Sequence, residues 1–179
     1  DTQQKINNTT IKYLTHSKTT ITEIEKIGFD VIYLNSMFSP AFTLKPLLWA
    51  KKNKLLNKVI LAPRGMLQFG ALKQKALKKK IFLSFFRFTD IANKIHFHAT
   101  DQQEKEDILK YFPKAKKITV IPNVVSKPIQ DKRTKEKVKS KLRLVYLSVI
   151  SSKKNLKYLL EIFSKINFEI EFDVYGSIK

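Results

Sequence analysis

The chain has no cysteine among its 179 residues, so neither a disulfide scaffold nor a thiolate metal site can be built from it. Glycine is scarce as well. Of the four present, none falls in a G-x-G-x-x-G spacing, and no P-loop exists, which argues against a dinucleotide fingerprint. The densest apolar run, residues 81–86, is far too short to span a bilayer. Nothing at the start has the layout of a signal peptide. The chain therefore reads as cytoplasmic. It begins without a methionine and stops at Gly176-Ser-Ile-Lys179, just after an apolar alternation where a helix would normally follow. A fragment of a longer protein is expected.

Acid is the other shortage. Fifteen Asp and Glu face 35 Lys and Arg, for a net charge of +20. Such a field favours nucleic acids, anionic lipid surfaces and phosphorylated small molecules. The chain is also rich in Lys, Ile and Asn together, so a compositional bias accounts for much of this charge without any partner.

What is present reads as alternating strands and helices. Residues 1–22 are polar and threonine-rich, and are expected to be a loop. A helical turn over 22–27 ends at Gly28, and residues 30–35 are read as a strand buried on both faces. Residues 40–52 form a helix with Phe42, Leu44, Leu47 and Leu48 inward. Residues 58–63 are a second strand, with Arg64-Gly65-Met66 as its exit loop. A long helix over 72–91 is expected to bury Leu72, Leu77, Ile81, Phe85 and Phe88. Residues 94–98 are a third strand, Thr100 caps a helix over 101–111, and residues 117–121 are a fourth strand. Residues 126–143 carry eight Lys or Arg against two Asp or Glu and form a solvated connector. A second unit follows as strand 142–149, helix 154–166 and strand 170–175, too little to close a core alone. The layout predicts an α/β protein of two Rossmann-like units, both incomplete: 1–125, a basic linker 126–142, and 143–179.

In open parallel sheets, ligands bind outside the carboxyl ends of the strands. That rule selects Asn35-Ser36, Arg64-Gly65-Met66, residues 98–100, Pro122-Asn123, residues 148–155 and Gly176-Ser177, with any site expected in the cleft between units. Arg64 either pairs a phosphate or carboxylate or fastens loops through their carbonyl oxygens; the strand-end address favours the former. Gly65 permits close ligand approach. Lys154 starts a helix, where a diphosphate would meet an ammonium and free amides, though it is one lysine among many. His96 and His98 share one strand face, but no third metal ligand lies near, and a structural role is the plainer account. Helix 72–91 either lies on an anionic membrane or keeps one face in the core.

Four segments resemble the N-terminal domain of GT-B glycosyltransferases of the family 4 (glycosyl transferase group 1) type. They are Asp30-Val-Ile-Tyr-Leu-Asn-Ser36, Ala62-Pro-Arg-Gly-Met66, His98-Ala-Thr100 with its acidic helix, and Ile121-Pro-Asn-Val124. Residues 144–166 and Phe172-Asp-Val-Tyr-Gly176 resemble the opening of the donor-binding domain. The resemblance covers about residues 28–179. It implies transfer of a sugar, with retention, from a nucleotide-sugar donor to a saccharide or lipid-linked acceptor in cell-surface polysaccharide or glycoconjugate synthesis. No cofactor and no obligatory metal are implied. Lys154 matches the diphosphate-binding lysine and Gly176 the next donor-side glycine, with Ser148 and Asn155 beside them. Arg64, matched to the cleft-facing loop near the reacting centre, is the catalytic candidate. Asn35, Ser36, Gly65, Met66, His98, Thr100 and Asn123 line the acceptor side. Val149 stands where an arginine is usual, Val124 where glycine is common, and Asn35 where histidine is frequent. The glycine-rich acceptor loop and the glutamate motif for the donor sugar are absent from this chain, which is not expected to turn over by itself.

The leading expectation is thus a cytoplasmic enzyme, peripheral at the inner face of the membrane. The competing one is a non-catalytic basic module for nucleic acid or anionic membrane, with steep salt dependence as its signature. Scattered basic residues and the lack of a stacking platform disfavour nucleic acid.

Overall fold

A computed structural model describes residues 2–14, 20–73, 76–124 and 141–178. The chain divides into two compact units, Asp1–Val125 and Ser126–Lys179. All but the last two residues of the expected 126–142 linker lie outside the described residues, and those two open a strand.

The first unit opens with an antiparallel hairpin, β1 (Thr2–Ile6) and β2 (Thr9–Tyr13), where a loop was expected. The two-residue link Asn7-Asn8 explains it. Asn7 adopts a φ of 52°, which asparagine tolerates, and the flanking threonines suit a pleated strand. Next come α1 (Thr20–Lys26), β3 (Ile32–Leu34), α2 (Lys45–Lys52), β4 (Val59–Leu61) and α3 (Phe69–Lys73). The unit continues with α4 (Ala76–Phe88), α5 (Ile91–Lys94), β5 (His96–Ala99), α6 (Gln102–Tyr111) and β6 (Lys117–Val120). Strands β3 to β6 form one sheet in chain order, every pair parallel. A mixed α/β unit with a four-stranded parallel sheet flanked by helices is consistent with a Rossmann-like fold.

Three sequence expectations change here. Strand β3 is not buried on both faces: Ile32 and Leu34 point inward, while Tyr33 is exposed at the sheet. Before α2 the chain makes a wide π-type turn, Pro40–Leu44, capped by Ser39, whose hydroxyl accepts from Phe42 N at 3.1 Å. The wide turn rotates the face that follows. Thr43, Pro46, Leu47 and Ala50 are buried, and Phe42 and Leu48 are exposed. The third concerns the long helix, which ends at Phe88, with a turn at Thr89-Asp90 before α5. The described part of α4 buries Leu83 and Phe86, whereas Leu77, Ile81, Phe85 and Phe88 of the expected core stripe face outward. Phe82 and Phe86 of α4 stack at 5.6 Å, and Phe86 meets Phe112, which in turn stacks on Phe97 of β5. This phenylalanine ladder fixes which side of the helix is core.

In the second unit, β7 (Lys141–Leu147) pairs in parallel with β8 (Glu169–Tyr175), and α7 (Leu156–Phe163) lies between them in sequence. Phe163 meets Phe172 edge-on at 5.0 Å. No described side chain of this unit is fully buried, and the Tyr146 hydroxyl is enclosed without a hydrogen-bond partner among the described residues. Among the described residues no helix is long and apolar enough to cross a membrane.

Candidate functional site

Parallel strands in consecutive order deliver all their exit loops to one edge of the sheet. At that edge every strand contributes a polar side chain or carbonyl to a single cluster centred on Arg64. Its Nε donates to Asn35 Oδ1 at 2.6 Å, one Nη donates to Tyr33 Oη at 3.0 Å, and the other reaches Asn123 Oδ1. All three partners are neutral, and among the described residues no carboxylate pairs with the guanidinium. Arg64 and Gly65 adopt consecutive left-handed conformations, φ 55° and 69°. For a non-glycine residue that is unfavourable, and the three hydrogen bonds offset it.

The cluster continues into β5. Tyr33 Oη lies 2.5 Å from His98 Nδ1, and His98 Nε2 lies 2.8 Å from the Ile121 carbonyl oxygen. A carbonyl only accepts, which places a proton on Nε2 and leaves Nδ1 of the neutral ring to accept from the tyrosine. The hydrogen bonds then run in one direction, from Arg64 to Tyr33 to His98 to the Ile121 carbonyl. His96, two residues back, meets Thr119 Oγ1 at 2.7 Å.

Beneath the loop sits Glu104, 1% exposed. Its carboxylate accepts from Gly65 N at 2.6 Å, Thr100 N at 2.7 Å and Thr100 Oγ1 at 2.8 Å. Asp101, not Thr100, is the cap of α6, its carboxylate accepting from Glu104 N at 2.7 Å. Met66 is fixed from the other side, its Sδ accepting from Met37 N at 3.4 Å and from the Ser36 hydroxyl at 3.7 Å. Thr43 Oγ1 donates to the Ser36 carbonyl at 2.8 Å. Asn35, Ser36, Arg64, Gly65, Met66, His98, Thr100 and Asn123, separate in sequence, are therefore joined at one edge by shared partners. Sequence reasoning passed over two members. Tyr33 was read as strand interior, although it stands two residues before Asn35 on the same strand face. Glu104 carries a signal of its own, because an acid three residues after a helix cap often turns back onto the entering chain.

In the second unit the exit loops of β7 and β8 are zipped together. Ser148 N donates to the Tyr175 carbonyl at 3.1 Å and Ile150 N to the Ser177 carbonyl at 2.9 Å. Gly176 lies so close that a Cβ there would stand 1.8 Å from the Ser148 carbonyl oxygen. Lys154 ends a short 3-10 turn, Ser152–Lys154, and Asn155 at φ 50° separates it from α7. It thus precedes the helix instead of starting it. The Lys154 side chain is exposed and makes no ion pair among the described residues.

Among the described residues no group of three or more His, Asp or Glu could hold a metal ion. A cavity of about 430 Å³ lies between the end of α4 and Phe112-Pro113, at the opposite edge of the sheet from the Arg64 cluster. Comparison with protein-family models and with curated proteins finds no match for this chain.

Proposed function

We propose that this chain belongs to a retaining glycosyltransferase of the GT-B type, moving a sugar from a nucleotide-sugar donor to a saccharide or lipid-linked acceptor. The observation that carries the reading is the Arg64 cluster: a cation paired with no carboxylate among the described residues, and flanking amides, gathered at the carboxyl edge of a parallel sheet. In such a reaction the bond from the anomeric carbon to the diphosphate oxygen breaks and a bond to an acceptor oxygen forms. Negative charge grows on the leaving diphosphate, and fixed cations lower that barrier. Lys154, beside the zipped Ser148 and Gly176 loops, supplies such a charge on the donor side, with Asn155 next to it. Arg64, steered by Asn35, Asn123 and Tyr33, supplies a fixed cation on the acceptor side. His98 and Thr100 hold the acceptor-side loops, and no metal is required by these roles.

Calorimetric titration with a panel of nucleotide sugars tests the reading. Lys154→Ala is expected to weaken donor affinity by about ten- to a hundredfold, the worth of a charged hydrogen bond to phosphate. In a form of the protein that turns over, Arg64→Ala is expected to depress turnover more than donor affinity. Absence of binding for every nucleotide sugar, or affinity unchanged by Lys154→Ala, counts against the assignment.

A further inference from the structure

The outward stripe of α4 is not explained by sugar transfer. Leu77, Ile81, Phe85 and Phe88 fall at i, i+4, i+8 and i+11, which puts them on one side of the helix. Leu77 is 73% exposed, Ile81 63% and Phe88 89%. Scattered exposed apolar residues are ordinary, but a contiguous stripe on one helix marks a surface that is covered in use.

The chemistry of the surroundings names the cover. At 100° per residue, Lys78 borders the stripe on one side, and Lys80 and Arg87 border it on the other. All three are exposed, and none makes an ion pair among the described residues. Moreover, the sequence contains no Asp or Glu from Val31 to Thr89. A protein groove of ordinary composition would leave these cations facing neutral or mixed partners. Nucleic acid would satisfy the cations but give no reason for bare Leu77 and Ile81. An interfacial helix needs both features: an apolar strip that enters the acyl boundary, and flanking cations at the height of the lipid phosphates. Beside the stripe, Phe69, Leu72, Ala76 and Leu83 line an apolar cavity of about 260 Å³ with Lys73 and Lys80 at its rim. Phe69 is itself 73% exposed, with the Lys73 ammonium 4.5 Å from its ring.

We infer that the Leu77–Ile81–Phe85–Phe88 face of α4 docks the protein in-plane on an anionic lipid surface. The inference stands apart from the sugar-transfer reading, because its test reads membrane binding alone. Flotation of the whole chain with phosphatidylcholine vesicles, with and without phosphatidylglycerol, is the experiment. Binding is expected only when the anionic lipid is present. Ile81→Ser with Phe88→Ser is expected to reduce it at least tenfold. Lys78→Gln and Lys80→Gln should each lower it by about fivefold, the worth of one cation near such a surface. Because all four positions are exposed, the variants should keep the fold, and Phe88→Trp adds a direct probe whose emission should shift to the blue on the anionic vesicles. No flotation at low salt, or flotation unaffected by the Ile81 and Phe88 changes, overturns the inference. So does binding to duplex RNA that exceeds vesicle binding and survives those changes.

Discussion

Glu104 shows how much of the Arg64 loop depends on one carboxylate. Three donors converge on it in a dry setting, two of them backbone amides that have no other use for their hydrogen. Glu104→Gln turns one acceptor into an NH₂ facing donors, and should cost about 1–3 kcal/mol in urea unfolding. It should also slow any Arg64-dependent activity, because Gly65 loses its anchor. Arg64→Lys is expected to behave like a deletion at this site, since a single ammonium cannot serve acceptors on three loops as a planar fork does. At this scale the strand-end rule located Asn35, Arg64, His98 and Asn123 from the sequence. It could not reveal who bonds to whom. Tyr33 looked like one more apolar strand residue, because a phenol hydroxyl leaves no mark on a hydropathy pattern.

The elements tell a less even story. Alternating strands and helices were legible because buried parallel strands are short β-branched runs between amphipathic helices. The hairpin β1–β2 was not, having too little apolar content to register. It is tied to α1 through Glu23, which accepts from Lys12 at 2.6 Å and from Lys26 at 2.9 Å. Those two ammonium groups hold its carboxyl down at about 2, from an ordinary 4.5. The folded form is thus favoured by the ionised acid above pH 4.5, and this contribution fades as pH falls toward 2. Protection of the hairpin amides, taken relative to the intrinsic exchange rate at each pH, should fall as pH drops through that window, and Glu23→Gln should remove this change in protection. Helix α4 misled for a different reason. It is apolar on two sides, and periodicity reports a stripe without saying which of two stripes meets the core. Only the rings of Phe97 and Phe112 decide it.

Across the molecule, apolar burial is unequal. Every fully buried hydrophobic side chain among the described residues belongs to the first unit, from Ile32 to Phe112. Exchange protection should follow, with β4 and β5 amides outlasting those of β7 and β8. Gly176→Ala should erase protection at Ser148 and Ile150 while leaving the Phe97 region untouched, since the added methyl collides only with the second unit's own backbone. The positive field of the whole chain draws anions in from a distance, but it does not choose among them. That choice falls to the one-way run of hydrogen bonds along the sheet edge. Arg64 has spent three of its five N–H hydrogens, and both asparagines turn their oxygens toward it. What Arg64 and the two asparagine amides keep for a visitor is chiefly hydrogen: two guanidinium N–H groups and a pair of side-chain NH₂ groups. Such an edge suits a molecule bristling with unshared oxygens, whereas a protonated amine would meet a standing positive charge.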